Sequence, residues 1–138
     1  MELRKNAKIK LLKRVPLFAR LSGTELERIS KVADELDFKE GKQLAREGAA
    51  GREFFVIVEG TAEVTRGKKR LSTLSDGDFF GEISLITRLP RTASVTTVSP
   101  MRALVITDRS FRRMLTDSPA IQRKVLEALG ERLAATDP

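Results

Sequence analysis

The 138-residue sequence contains no cysteine, histidine, tryptophan or tyrosine. Without cysteine, a disulfide framework, a thiolate zinc site and a thiol nucleophile are all excluded. Without histidine, the usual general base and the commonest metal ligand are missing. The lack of tryptophan and tyrosine weakens any surface for stacking nucleic-acid bases. We therefore expect a binding protein rather than an enzyme, with no metal site and no cofactor.

Long apolar runs are absent as well. No uncharged stretch approaches the ~18–20 residues of a membrane-spanning helix, and no signal-peptide pattern opens the chain. Apolar residues make up 41% of the sequence and charged residues 33%, which suits one hydrophobic core and argues against intrinsic disorder. We expect a single soluble, cytoplasmic domain over residues 1–138, with no transmembrane segment.

The net charge of +7 comes almost entirely from one segment. Residues 1–20 hold seven basic residues and one acidic residue, a net charge of +6, whereas the other 118 residues hold 19 basic and 18 acidic ones. Apolar residues recur every four positions from Leu3 to Leu11, which predicts a helix that ends before Pro16. Its lysines either form a solvated face or contact an acidic partner or membrane surface.

Helical patterns enclose a region of short strands, which predicts an α+β fold. Residues 1–34 carry N-terminal helices, the second of which starts at a capping box formed by Ser22 and Glu25. Over residues 35–107, short apolar runs punctuated by glycine predict an antiparallel β-roll of the jelly-roll type. The runs are 42–46, 53–59, 61–66, 70–74, 92–99 and 102–107.

Residues 108–136 turn helical again. Asp108 is predicted to cap a helix through Leu115, and Ser118-Pro119 marks the start of a last helix. This helix has an apolar stripe with a spacing of four residues: Ile121, Val125, Leu129 and Leu133. The stripe either pairs with a second copy, giving a homodimer, or packs onto the roll.

The segment over residues 79–95 interrupts the strands with a glycine, a short apolar helical turn and a Pro-Arg return. Gly81 permits close approach of the backbone to a ligand, and the first amides of a turn over residues 82–86 favour a phosphate. Arg91 can form a forked contact with the same phosphate, and Glu82 can accept a hydrogen bond from a sugar hydroxyl. These groups describe a ribose phosphate site, unless Glu82 and Arg91 simply pair with each other on the surface.

This segment resembles the phosphate-binding cassette of cyclic nucleotide-binding domains. The sequence Phe80-Gly-Glu-Ile-Ser-Leu-Ile is followed, after three residues, by Pro90-Arg-Thr-Ala-Ser-Val. A second signature of the family is Gly51-Arg-Glu-Phe-Phe-Val-Ile-Val-Glu-Gly60. The resemblance covers roughly residues 12–135. It implies a β-roll with the cassette at residues 80–93 and a lid formed by the C-terminal helices over residues 108–136.

The resemblance also implies a role for each matching residue. Glu82 would bind the ribose 2′-hydroxyl, and the Arg91 side chain would hold the cyclic phosphate together with backbone amides. These amides belong to Ser84 and its neighbours, so the cassette residues implied are Gly81, Glu82, Ile83, Ser84, Arg91, Thr92 and Ala93. The hydroxyl of Thr92 would reach either the phosphate or the purine edge.

For the base, the resemblance implies an apolar wall formed by Val64 and Leu74. Arg132 on the last helix would lie near the purine, and Leu133 would either cap the base or pack in the core. Phe79 and Phe80 are expected in the core rather than at the ligand. Two further positions depart from the family pattern.

The first departure is Arg52, because an acidic residue that orients the phosphate arginine often follows the Gly51 position. The neighbouring Glu53 is the nearest candidate to replace it. The second is Ser72, which is small and polar at a wall position that is often larger and apolar.

The function implied is that of a regulatory sensor, which binds cyclic AMP or cyclic GMP and relays binding to an unknown protein effector through movement of the C-terminal lid helix. The alternative is a non-enzymatic interaction module with a degenerate nucleotide site, which docks an acidic partner through the basic N-terminal helix. Specific DNA binding is not expected, because only Asp137 and Pro138 follow the last helix.

Overall fold

The computed structural model describes residues 3–87 and 89–136, apart from the side chains of residues 132, 133, 135 and 136. The helical elements are α1 (Lys5–Lys13), a 3-10 turn (Pro16–Phe18), α2 (Gly23–Lys31), a second 3-10 turn (Glu82–Leu85), α3 (Asp108–Asp117) and α4 (Pro119–Thr136). The strands are β1 (Asp34–Phe38), β2 (Gln43–Ala45), β3 (Glu53–Glu59), β4 (Ala62–Arg66), β5 (Lys69–Leu74), β6 (Phe79–Phe80), β7 (Ser94–Thr97) and β8 (Met101–Thr107).

The strands form two antiparallel sheets, in the orders β1-β8-β3-β6 and β2-β7-β4-β5. Side chains from both sheets meet between them in a small apolar core that includes Ile57, Ala62 and Val95. This arrangement confirms the predicted α+β fold with an antiparallel β-roll flanked by helices. Residues of this small core also line the site described below.

A second and larger core joins the helices to the outer face of the first sheet. Phe18, Phe54 and Phe111 are fully buried in it. The ring centroid of Phe18 lies 6.1 Å from that of Phe54, in an edge-on arrangement. It lies 5.9 Å from the ring centroid of Phe111, in a tilted arrangement. The first 3-10 turn, β3 and α3 are therefore fixed together by aromatic contacts, which prefer such edge-on and tilted geometries.

The last helix packs onto this larger core. Ile121 and Val125 are buried, and Leu129 is half-buried against the same cluster. The predicted stripe therefore packs within the chain over these three residues, while the side chain of Leu133 lies outside the described residues. Leu126, on another face of α4, is exposed, and pairing of two copies through this helix stays a prediction.

Three element boundaries differ from those expected. The second helix ends at Lys31 rather than near position 34, because Asp34 begins β1 and pairs with Val105 of β8. The cap of α3 is not Asp108: the Thr107 side chain accepts the bond from the amide of Ser110, at 3.2 Å. The helix itself runs on to Asp117, beyond the predicted end.

The predicted capping box of α2 is confirmed, and it also anchors α4. The amide of Glu25 donates to Ser22 Oγ at 3.2 Å, and the amide of Ser22 donates to Glu25 Oε1 at 2.9 Å. Lys124 of α4 donates to the same carboxylate oxygen at 2.7 Å. This hydrogen bond from Lys124 is the largest influence holding the pKa of Glu25 below its ordinary value of 4.5. One carboxylate thus links the start of α2 to α4.

We expect Glu25→Gln to destabilise the fold at neutral pH by about 1 kcal/mol, the scale of a partly buried ion pair with a cap. Because folding lowers the pKa of Glu25, the stabilisation is present above pH 4.5 and is lost as the pH falls through the lowered folded value. Chemical denaturation at a series of pH values should show the difference shrinking in acid. Glu40→Gln, at an exposed position, is the control, and a difference independent of pH would contradict this account.

Candidate functional site

One cavity of about 380 Å³ lies between the second sheet and the segment joining β6 to β7. Nine of the ten predicted ligand-binding residues line it: Val64, Leu74, Gly81, Glu82, Ile83, Ser84, Arg91, Thr92 and Ala93. The tenth, Arg132, is on α4, and its side chain lies outside the described residues. The fold therefore brings the predicted residues together, while the role of each stays a prediction.

Arg91 is a partly buried cation in the lining of this cavity. Its Nη1 donates to Ser84 Oγ at 2.9 Å, and its Nη2 donates to the carbonyl oxygen of Glu53 at 2.6 Å. Burial lowers the pKa of the Arg91 guanidinium, and the charge of Glu53 opposes that shift. The group nevertheless stays protonated at neutral pH, because the guanidinium does not lose its proton in proteins.

The surface pairing of Glu82 with Arg91 is not formed. Within the described part of the chain, Arg91 makes no ion pair with any carboxylate. Its two acceptors are a hydroxyl and a carbonyl, which carry no net charge. The guanidinium therefore keeps its full positive charge while both of its terminal nitrogens are held in place.

Arg91 is supported by Glu53, which follows Arg52, the residue that departs from the family pattern. Arg52 is exposed, and its carbonyl accepts a bond from the amide of Asp108 at 2.9 Å. Glu53 provides the backbone carbonyl described above, and its charge acts on Arg91 through space. The sequence predicted a carboxylate at this point, whereas Arg91 donates its hydrogen bond to the main-chain carbonyl of Glu53.

The backbone around Arg91 is fixed on both sides. The amide of Arg91 donates to the carbonyl of Ala49 at 2.7 Å, and its carbonyl accepts from the amide of Gly48 at 2.9 Å. One residue later, the carbonyl of Thr92 accepts a bond from Arg66 Nε at 3.0 Å. The loop before β3 and the end of β4 thus hold the return segment of the cassette.

The predicted helical turn is a 3-10 turn that starts after Gly81. Leu85 and Ser84 are buried, whereas Ile83 is exposed at the edge of the cavity. The amide of Ser84 donates to the carbonyl of Gly81 at 3.0 Å. In this structure that amide is therefore used inside the turn, and its predicted contact with a phosphate would require the turn to open.

The wall of the cavity is apolar, as expected, but wider than the two residues predicted. Val64 lies opposite Val95 in the register of β4 and β7. Six lining residues were not predicted: Ala45, Phe80, Thr87, Leu89, Pro90 and Val95. Four of them lie within the cassette at residues 80–93, so the motif itself could have indicated them.

Phe80 both stacks in the core and lines the cavity. Its ring lies 4.7 Å from that of Phe55, at an interplanar angle of 12°. Phe80 therefore packs against the small core, as expected, and is also accessible from the cavity, whereas Phe79 packs edge-on against Phe54 and does not line the cavity. Ser72 pairs with Val64 across the strands, but it is exposed and lies outside the lining.

Within residues 3–87 and 89–136, no group of acidic side chains is arranged so that it could hold a metal ion. None of the helices in that part of the chain is both long and apolar enough to cross a bilayer.

Comparison with known proteins agrees with this geometry. The profile of the cyclic nucleotide-binding domain matches residues 35–118. The chain belongs to this family. Domains of the family are regulatory sensors whose ligands are cAMP or cGMP, and the resemblance noted from the cassette is confirmed.

Relatives of several architectures carry similar segments. The chain is 36% identical over 136 residues to the cAMP-dependent protein kinase regulatory subunit of Mycosarcoma maydis, covering 91% of this chain and 26% of that protein. It is 29% identical to the CRP-like cAMP-activated global transcriptional regulator of Mycobacterium tuberculosis (strain ATCC 25618 / H37Rv), covering 92% of this chain and 59% of that protein. The chain thus spans less than two thirds of either relative.

A solved structure shares the fold over nearly its whole length. The N-terminal domain of a transcriptional regulator from Streptomyces coelicolor A3(2) superposes with a TM-score of 0.85 at 26% sequence identity. The match covers 92% of this chain and 94% of that one. The flanking helices as well as the roll therefore have counterparts in a domain of known structure.

Two glycines leave room for the Arg91 guanidinium. A Cβ added to Gly51 would collide with Ser84 Oγ and lie 3.0 Å from Arg91 Nε. A Cβ added to Gly81, where φ is +85°, would collide with Arg91 Nη1 and lie 2.8 Å from the carbonyl oxygen of Glu53. A side chain at Gly81 must displace the Arg91 guanidinium, and a side chain at Gly51 must displace the Ser84 hydroxyl that accepts a bond from it.

We expect Gly81→Ala to lower the melting temperature more than Gly41→Ala does. Gly41 has the same φ of +85°, but a Cβ there meets nothing within 4 Å. Both variants incur the left-handed strain of about 1–2 kcal/mol, and only Gly81→Ala adds the collision with Arg91. Thermal unfolding followed by circular dichroism measures the difference, and equal losses would contradict the collision.

Proposed function

We propose that this chain binds 3′,5′-cyclic AMP or cyclic GMP in the cavity beside Arg91 and relays binding through its C-terminal helix. The observation that carries the proposal is the Arg91 guanidinium, held by a hydroxyl and a carbonyl rather than by a carboxylate, in a cavity that also has an apolar wall. An anionic phosphate needs the first of these features and a purine needs the second. Glu82, in the same lining, adds an acceptor for a sugar hydroxyl.

The ligand would lie across the cavity in one orientation. Its phosphate would accept hydrogen bonds from Arg91 in place of the hydroxyl of Ser84, and its ribose 2′-hydroxyl would donate to Glu82. Its base would then lie on Val64 and Leu74. Gly81 and Ile83 would supply backbone contact, and Thr92 and Ala93 would close the phosphate end.

Arg91→Ala should weaken binding of either nucleotide by about 2–5 kcal/mol, the usual cost when one partner of a buried charged contact is removed. Isothermal titration calorimetry with cAMP and with cGMP measures this loss. Arg46→Ala is a suitable control, because Arg46 is exposed and lies outside the cavity lining. The control should bind both nucleotides as the unmodified chain does.

Two outcomes would count against the proposal. Binding that survives Arg91→Ala would contradict the site assignment. If neither nucleotide at millimolar concentration raises the melting temperature, the interaction module with a degenerate site becomes the better account, because a ligand that binds the folded state must stabilise it.

Movement of α4 is the proposed relay. In this structure the described lining of the cavity includes no residue of α4, whose buried side chains pack on the other core. A lid function therefore requires the end of α4 to approach the cavity when nucleotide binds. Such a shift between two helix positions is the general form of a ligand-driven switch.

Because the chain has no cysteine, an introduced pair of cysteines provides the only labelling sites. We expect spin labels at Ala134→Cys and Lys68→Cys, both exposed positions, to approach each other by several ångströms when nucleotide is added. Pulsed electron paramagnetic resonance measures the distance. A control pair at Lys68→Cys and Glu40→Cys should not change, and an unchanged Ala134 distance at saturating nucleotide would exclude the lid.

A further inference from the structure

A second concave surface, on the helical side of the molecule, lies outside the nucleotide cavity. It is a groove of about 320 Å³ between α2 and α3, here named the α2–α3 groove. Its walls carry Arg28 and Lys31 from α2 and Arg113 from α3, all of them exposed. Its floor contains Met114, which is 6% exposed. The groove therefore combines positive walls with an apolar floor.

The arginines of the groove are not neutralised by the chain. Within the described residues, neither Arg28 nor Arg113 forms an ion pair, and neither has a further electrostatic contact. The charge of Lys31 is shared between the groove and Glu27, because it also lowers the pKa of the Glu27 carboxyl. Two unpaired guanidiniums on facing helices offer forked donors that match carboxylates. Arginine and methionine are also enriched where proteins contact one another.

We infer that the α2–α3 groove is a docking surface for an acidic peptide segment of a partner protein. The carboxylates of such a segment would pair with Arg28 and Arg113, and an apolar side chain between them would rest on Met114. This commits the surface to a carboxylate-bearing chain with at least one apolar residue. It is distinct from the basic face of α1, which is the docking site in the alternative reading of the sequence.

Other polyanions fit the groove less well. Asp117 also lines it, and its carboxylate would repel a continuous phosphate backbone, whereas a peptide can present an uncharged residue there. The chain has no tryptophan or tyrosine on which bases could stack. A bilayer is also disfavoured, because the apolar floor is recessed between two helices and cannot enter an acyl layer.

The groove is connected to the nucleotide site through α3. On another side of this helix, Arg112 Nη2 donates to the carbonyl of Ile86 at 3.2 Å, and Ile86 is the cap at the end of the cassette turn. A displacement of the turn would therefore act on the helix that forms one wall of the groove. This coupling rests on the proposed nucleotide function, whereas peptide docking itself does not.

The test uses the full chain and a fluorescein-labelled synthetic peptide rich in glutamate with leucine at every turn. Fluorescence anisotropy at low and at physiological salt gives the dissociation constant. The double variant Arg28→Gln/Arg113→Gln should raise that constant roughly tenfold or more, the scale for two partly desolvated charge pairs. The same peptide with glutamine in place of glutamate should bind neither protein.

Control variants remove equal charge elsewhere. Lys68→Gln/Lys69→Gln, at exposed positions of the hairpin formed by β4 and β5, should leave the dissociation constant within about twofold, as expected for distant screened charges. Lys10→Gln/Lys13→Gln tests α1. If the α1 variant loses peptide binding and the groove variant keeps it, or if the unmodified chain binds no peptide at low salt, the inference is overturned. If the groove variant lost binding to anionic vesicles or to RNA while its peptide dissociation constant stayed unchanged, that result would overturn the inference as well.

The altered residues are exposed, so we expect the variants to fold, and their melting temperatures are the check. The coupling is measured separately, as the change in peptide dissociation constant when saturating cAMP or cGMP is added, and by reciprocity the peptide must change nucleotide affinity by the same factor. A chain that binds peptide but neither nucleotide would refute the proposed nucleotide function and leave the groove standing. A chain that binds nucleotide but no peptide would refute the groove alone.

Discussion

The charge of Arg91 is the constraint around which the site is arranged. A guanidinium withdrawn from water must find acceptors within the protein, since an unsatisfied charge is costly to bury. The carbonyl of Glu53 and the hydroxyl of Ser84 meet that need. The positions of β3, the 3-10 turn and the return segment relative to one another are therefore tied to one side chain. The same crowding leaves no space for a side chain at Gly51 or Gly81.

The nature of these acceptors matters as much as their positions. A carboxylate partner would have neutralised Arg91, whereas a carbonyl and a hydroxyl orient it and leave its charge available. An arginine held in this way is already in the geometry in which it would contact an anion, so little conformational entropy is lost on binding.

The features of the fold and of the site that depend on side-chain patterning could be predicted from the sequence. The short apolar runs separated by glycine predicted the roll, and the resemblance of the cassette to cyclic nucleotide-binding domains implied nine of the residues that line the cavity. In contrast, β1 contains three charged residues in five positions and has a strand register only because β8 lies beside it. The Glu53 carbonyl was also unpredictable, because a main-chain acceptor has no signature in the sequence and depends on where the strand begins.

The position of α4 follows from unequal anchoring along its length. Near its start, Ile121 and Val125 are buried in the larger core, and burial of such side chains is worth about 1.5–3 kcal/mol each. Towards its end, Arg20 reaches Glu127 at 3.5 Å and also contacts Glu131, in exposed pairs that contribute about 0–1 kcal/mol each. The helix is thus fixed by packing from its start to Leu129, and the contact described beyond that residue is the exposed pair of Arg20 with Glu131. The lid movement that we propose would therefore have to pivot about the packed turns, so that the larger core keeps its contacts.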